Sequence, residues 1–218
     1  MQPAPPGVDW RRAEFVLVLL GLAGFLTLPI RITTIYSNLP AHPLFVHVPV
    51  VLIPVTILVA IVFAVRVDWL RRYGIALSVV SIVAMSSTFL AMQAGAALRG
   101  ALGLQGPAAK LISEHSHAAH ILAIVYVLFT ATLIVTFATG RISSGMPIGM
   151  ELLDRPLSSR TLFAGLRVVL VILAIVAAYM TFRTGDLGAK AVWQGRLQAA
   201  HGGGAGPALF GPEQLPAP

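Results

Sequence analysis

The residues of this chain best suited to chemistry are its six histidines, which cluster at or near the ends of apolar segments. They are His42, His47, His115, His117, His120 and His201. In an up-and-down helical bundle, the starts of alternate helices and the end of the helix between them share one membrane face. Imidazole can ligate a metal or carry a proton near neutral pH. The sequence therefore predicts a site at one membrane face, built from these imidazoles.

The composition indicates which elements must position the histidines. Of the 218 residues, 57% are hydrophobic and 11% are charged, and the mean hydropathy is +0.86. Soluble domains carry roughly 25% charged residues, and about 20 apolar residues cross a bilayer as a helix. We therefore predict an all-α integral membrane bundle of five transmembrane helices. It consists of a four-helix core and one additional N-terminal helix, embedded in the lipid bilayer.

Charge and cysteine content exclude several classes of function. The net charge is +7, but the basic residues lie between apolar segments, as they do in membrane loops. We therefore expect no nucleic-acid partner. The chain has no cysteine, which removes disulfides, thiolate nucleophiles, cysteine-ligated iron–sulfur clusters and covalently attached haem. Any metal or haem must be held by His, Met, Asp or Glu side chains.

The apolar runs divide the chain into four regions. We predict a flexible N-terminus at 1–13, an extra transmembrane helix at 14–38, a four-helix membrane core at 39–196 and a disordered tail rich in Gly and Pro at 197–218. The predicted core spans are Pro43–Val65, Tyr73–Leu98, Glu114–Ala138 and Thr161–Phe182, with a loop at Arg99–Ser113 and a polar connector at Thr139–Arg160. Ser113 is expected to cap the fourth span.

One stripe of small residues lies on the third span. Ser87, Ala91 and Gly95 recur at every fourth position. Such a stripe allows a neighbouring backbone or a flat ligand to approach closely. Plain helix packing is the alternative explanation.

His47 and His120 are the best candidates for an inward-facing pair. His47 lies about 7 Å deeper along its helix than His42 and points about 140° away from it. His120 lies at a similar depth on its own helix, and His117, three residues earlier, is its main substitute. His42 and His115 are further cofactor-binding candidates, placed either in the site or on its rim. Two imidazoles from facing helices would hold a b-type haem without a covalent link.

A small metal site is the alternative use of the same cluster. His47, His117 and His120, with Asp186 or Glu114 supplying an oxygen ligand, would suit copper or zinc. Asp186 could equally orient an imidazole or pair with Arg183. A third possibility is that no cofactor binds and the histidines only hydrogen-bond to backbone carbonyls near the membrane surface.

The distribution of Lys and Arg predicts the orientation. Nine of these residues lie on the N-terminal side of the membrane and six on the side of the histidines. The positive-inside rule then places the N-terminus in the cytoplasm and the C-terminus outside, in a multi-pass protein of the bacterial plasma membrane. The histidines would face the outside.

Three motifs resemble a known family. The run His42-Pro-Leu-Phe-Val-His47-Val-Pro49 resembles the start of the bacterial membrane family catalogued as domain of unknown function 2231. Glu114-His115 is similar to the start of that family's third helix, and Gly185–Trp193 is similar to its closing segment. The resemblance covers about residues 39–196. It implies a four-helix membrane core, and because family members can occur with Rieske-type redox domains, it implies an electron-transfer context.

The function expected from these observations is electron transfer in the membrane. A b-type haem near the outer face would relay single electrons between a quinone or membrane reductase and an outer partner, such as a respiratory redox complex or a Rieske-type protein. One alternative is a non-catalytic accessory subunit of a larger respiratory or transport complex. The other is a copper- or zinc-binding membrane protein. Whether the chain is itself an enzyme is left open, and a redox or accessory subunit is favoured.

Overall fold

The computed structural model describes residues 10–26, 32, 34, 39–103, 106–145 and 157–202. The described residues form five α-helices: α1 at Trp10–Leu26, α2 at His42–Val65, α3 at Val67–Leu102, α4 at Gly106–Ile142 and α5 at Arg160–Gly202. The predicted class, an all-α membrane bundle with a four-helix core and an additional N-terminal helix, is confirmed. The expected flexible stretch at 1–13 lies mostly outside the described residues.

Four of these helices have the length and composition of membrane spans. They are α2, α3, α4 and the part of α5 at Arg160–Trp193. Each contains an 18-residue stretch with a mean hydropathy of 2.1 or more. Helix α1 is shorter, with 17 residues. It packs against α3, where Gly24 approaches Ser86.

The connections between core helices are shorter than the sequence predicts. The expected loop at Arg99–Ser113 is mostly helical, because α3 runs to Leu102 and α4 starts at Gly106. Alanine and leucine favour helix on both sides. Gly103 stops α3 by taking a left-handed φ of 55°. Ser113 therefore lies inside α4 and does not cap it.

Helices α3 and α5 also extend beyond their predicted ends elsewhere. Only Arg66 separates α2 from α3, with φ −94° and ψ 79°, so α3 starts at Val67, six residues before the predicted span Tyr73–Leu98. Helix α5 continues to Gly202, so the backbone of residues 197–202 is helical where a disordered tail was expected. The rest of that tail, and residues 146–156 of the predicted connector at Thr139–Arg160, lie outside the described residues.

The four core helices form a closed ring around one apolar core. Each of α2 and α4 packs against both α3 and α5. Helices α2 and α4 therefore lie diagonally across the bundle. The interior between them is filled by large side chains that are almost fully buried, including Ile53, Leu70, Phe129, Leu133 and Leu170.

Candidate functional site

The first imidazole of the site belongs to His42, the first residue of α2. Its Nδ1 lies 2.8 Å from the carbonyl oxygen of Ala91 on α3. Because a carbonyl can only accept, Nδ1 must carry the hydrogen. Gly95 lies one helical turn after Ala91, and a Cβ atom there would lie 2.9 Å from His42 Nδ1. The small-residue stripe of α3 is therefore where the imidazole of His42 docks.

The second imidazole belongs to His115 on α4, and its surroundings are similar. Its Nδ1 lies 2.9 Å from the carbonyl oxygen of Thr184 on α5, so it also donates a hydrogen bond. Gly188 follows Thr184 by one turn, and a Cβ atom there would lie 3.0 Å from His115 Cε1. Glycine at this position leaves room for the ring to reach the carbonyl.

These two imidazoles lie together at one end of the bundle. Their ring centroids are 6.5 Å apart and their planes are inclined by 80°. Both side chains are half-buried. The starts of α2 and α4 and the C-terminal parts of α3 and α5 meet here, which is the shared face expected from the sequence.

The hydrogen bonds determine which ring nitrogens remain available. In a neutral imidazole one nitrogen donates and the other accepts. Because Nδ1 donates to a carbonyl in both His42 and His115, Nε2 keeps a lone pair in both. A histidine that ligates a metal commonly donates its other ring N–H to a backbone carbonyl in this way. The pair can thus supply two oriented nitrogen donors.

His47 and His120, the pair favoured by the sequence, lie elsewhere. Both are exposed, and each directs Nδ1 to the carbonyl of its own helix four residues earlier, at Pro43 and Ser116. They lie on the outside of the bundle, while the two histidines expected in the site or on its rim face each other.

The donors of the alternative metal site are not assembled either. His117 and Glu114 are exposed. Asp186 forms an exposed ion pair with Lys190 at 2.7 Å, rather than with an imidazole or Arg183. Within the described ranges, no group of three or more His, Asp or Glu side chains is placed to hold a metal ion. The side chain of His201 lies outside the described residues.

A hydroxyl cluster in the middle of the bundle is missed by sequence reasoning. The Tyr126 hydroxyl lies 2.7 Å from Thr56 Oγ1 and accepts from Ser81 Oγ at 3.3 Å, and Ser81 Oγ lies 2.8 Å from Thr130 Oγ1. All four side chains are buried. Ser and Thr usually bond to their own helix, as Thr56 also does at Leu52, so the sequence gives no signal that these residues would join three helices.

Two arginines make matching contacts at the opposite end of the core. Arg71 Nε on α3 donates to the carbonyl of Gly140 on α4 at 3.0 Å. Arg167 Nε on α5 donates to the carbonyl of Ala64 on α2 at 2.6 Å. Each guanidinium satisfies a carbonyl near a helix C-terminus, where a cation is favourable.

Comparison with known proteins gives one match. No curated protein and no solved structure matches the chain. Residues 38–201 match the family model described as "Predicted membrane protein (DUF2231)". The match spans well over half of the chain and includes both His42 and His115, so it confirms the resemblance indicated by the three motifs. The chain therefore belongs to this membrane family, domain of unknown function 2231.

Proposed function

We propose that the protein is a membrane electron-transfer protein that holds a b-type haem between His42 and His115. The observation that carries the proposal is the facing of these two imidazoles at 6.5 Å from diagonal helices. It keeps the chemistry expected from the sequence and assigns it to a different pair of histidines. Whether that chemistry fits depends on the separation of the two rings and on the groups that hold them.

The separation of the two rings is compatible with both imidazoles binding one metal. Imidazole nitrogens bind metals at about 2 Å, so two rings in line through one metal have centroids roughly 6 Å apart. The observed 6.5 Å is close to that separation. An imidazole can rotate about its bond to a metal without losing that bond. The 80° angle between the two ring planes is therefore compatible with both rings binding one metal.

The chain itself orients the two imidazoles. The carbonyls of Ala91 and Thr184 hold both imidazoles as Nδ1–H tautomers, so that each Nε2 is ready to ligate. Haem iron with two imidazole ligands would supply one-electron redox chemistry.

The proposed setting follows from the charge distribution. The order of the spans in the sequence assigns nine Lys and Arg residues to the side opposite the imidazoles and six to their side, which favours a site on the outer face of a bacterial plasma membrane. The electron donor would be a quinone or membrane reductase, and the acceptor an outer-side protein such as a Rieske-type protein or a respiratory complex.

The test is a reduced-minus-oxidised absorption spectrum of the full chain, produced with haem supplied and purified in detergent. We expect a Soret band that is lost in His42→Ala and in His115→Ala. His47→Ala and His120→Ala are matched controls, because each removes an exposed imidazole from the same helix, and both should keep the band.

Three results would overturn the proposal. The first is a band that depends on His47 and His120 instead. The second is a colourless protein with stoichiometric copper or zinc by elemental analysis, which would indicate metal handling. The third is a colourless, metal-free protein that co-purifies with other subunits, which would indicate an accessory role.

A further inference from the structure

The contacts around the histidines occur twice in the same arrangement. In each case a histidine on one helix donates to a carbonyl on the next helix in sequence, and a glycine follows that carbonyl by four residues. The sets are His42, Ala91 and Gly95 on α2 and α3, and His115, Thr184 and Gly188 on α4 and α5. Exchanging α2 with α4 and α3 with α5 converts one set into the other.

The second histidines of α2 and α4 are also related by this exchange of helices. His47 follows His42 by five residues, and His120 follows His115 by five residues. Both are exposed, and both bond to the carbonyl of their own helix four residues earlier. The H-x-x-x-x-H spacing at the two helix starts is therefore accompanied by the same local geometry.

At the end of the core opposite the histidines, the same exchange relates two arginine contacts. The bond from Arg71 on α3 to Gly140 on α4 corresponds to the bond from Arg167 on α5 to Ala64 on α2, which lies three residues nearer the histidines on both helices. The ring of helix contacts is also unchanged, because α2 and α4 each touch both α3 and α5. Contacts at both membrane faces thus support the same relationship.

We infer that Gly95 and Gly188 are a matched pair of positioning residues, one from each of two equivalent helical hairpins, α2–α3 and α4–α5. The hairpins are related by a pseudo-two-fold axis along the membrane normal, as in other membrane proteins with parallel repeats. The axis passes between His42 and His115. Each glycine lets one imidazole reach its carbonyl, so that the two rings are held by matching contacts.

The equivalence also specifies the class of ligand. A group on the axis would meet two like imidazole donors, which would suit a metal centre that binds two histidines. This last step rests on the proposed function, whereas the repeat and the roles of the glycines do not.

The test uses ligand-free, full-length protein with ¹⁵N-labelled histidine. The nitrogen spectrum reports the tautomer and hydrogen bonding of each imidazole, with signals assigned by single His→Gln variants. In Gly95→Ala we expect the Nδ1 signal of His42 to shift as its bond to Ala91 is lost, while the His47 signal stays. In Gly188→Ala the His115 signal should shift in the same sense, while the His120 signal stays.

Matched controls are available on the same helices. Gly100 on α3 and Gly185 on α5 have nothing within 4 Å of an added Cβ atom. Gly100→Ala and Gly185→Ala should therefore leave the His42 and His115 signals unchanged. These two variants also measure how much the replacement of glycine by alanine alone changes helix stability.

A second measurement covers variants too unstable for spectroscopy. If the alanine at position 95 acts by displacing the imidazole, removing that imidazole in the same chain relieves the clash. The melting temperature of Gly95→Ala/His42→Ala should then equal or exceed that of His42→Ala alone, although Gly95→Ala lowers it in the wild-type background. Likewise, the melting temperature of Gly188→Ala/His115→Ala should equal or exceed that of His115→Ala alone.

Unchanged His42 and His115 signals in the glycine variants would overturn the inference, as would an effect at only one of the two glycines. Neither outcome depends on haem. A colourless protein with both glycine effects would refute the proposed function and leave this inference standing.

Discussion

His42 and His115 face each other across the diagonal of the bundle with ring centroids 6.5 Å apart, although they belong to helices that do not pack side by side. Each ring crosses toward the centre because its Nδ1 is held by a carbonyl of the intervening helix. The distance is thus determined by all four core helices. A shift of any one of them would change the spacing of the two Nε2 atoms.

Replacing one proposed iron ligand should tune the redox potential. His115→Met exchanges an imidazole for a thioether, and His/Met ligation raises the potential of haem iron. We expect the haem to remain and its midpoint potential to rise by on the order of 100 mV, measured by spectroelectrochemical titration. His120→Met, on the outer surface of the same helix, should leave the potential unchanged. An unchanged potential in His115→Met would argue against ligation by this residue.

The hydroxyl of Tyr126 should stabilise the bundle. Tyr126→Phe removes the shared partner of Thr56 and Ser81 and leaves their hydroxyls with fewer bonds. Hydrogen bonds between membrane helices contribute about 0.6 kcal/mol on average and up to about 1.7 kcal/mol, so we expect a loss of about 1 kcal/mol in unfolding free energy. Denaturant titration in mixed micelles would measure it. Tyr179→Phe, at 59% exposure, is the control and should be nearly neutral.

Gly74 allows α3 and α4 to pack closely. A Cβ atom at this position would collide with the buried ring of Phe137. Overpacking of this kind costs about 1–3 kcal/mol, so Gly74→Ala should lower the thermal unfolding temperature. Gly165→Ala is the matched control, since nothing lies within 4 Å of an added Cβ there. Equal melting temperatures of the two variants would contradict the packing described for Phe137.

Asp186 should be dispensable for any bound cofactor or metal. Its carboxylate pairs with Lys190 at 2.7 Å in an exposed position. Exposed pairs contribute about 0–1 kcal/mol, so Asp186→Asn should change stability little. Haem or metal content per chain, measured by absorbance and elemental analysis, should stay the same. Loss of bound metal in this variant would instead favour the four-donor site expected from His47, His117 and His120.

The sequence predicts the membrane class and the number of helices because both follow from hydropathy. It also indicates that the histidines at the starts of α2 and α4 share one face, since alternate helix starts lie on the same side in an up-and-down bundle. Helix ends are less well predicted. Residues near Leu102 and Ala108 favour helix strongly enough to continue it beyond the apolar run, and polarity alone suggests a loop there.

The choice between histidines is not accessible from sequence spacing alone. Spacing gives the angle between His42 and His47 on one helix but not the rotation of that helix in the bundle. The rotation places His42 against the Ala91 carbonyl and leaves His47 exposed. The acceptors Ala91 and Thr184 act through backbone oxygens, which every residue type carries. Only the glycines four residues later mark these positions in the sequence.

The core helices do not end at the level of the imidazole pair. Helix α3 continues from Gly95 to Leu102, α5 continues from Gly188 to Gly202, and α4 starts at Gly106, ahead of His115. At about 1.5 Å per residue, these extensions rise roughly 10–20 Å above the rings. A group seated between the rings would be flanked by the extended parts of α3, α4 and α5. If the proposed haem lies there, an electron-transfer partner would therefore reach it across the ends of these helices and not by direct contact.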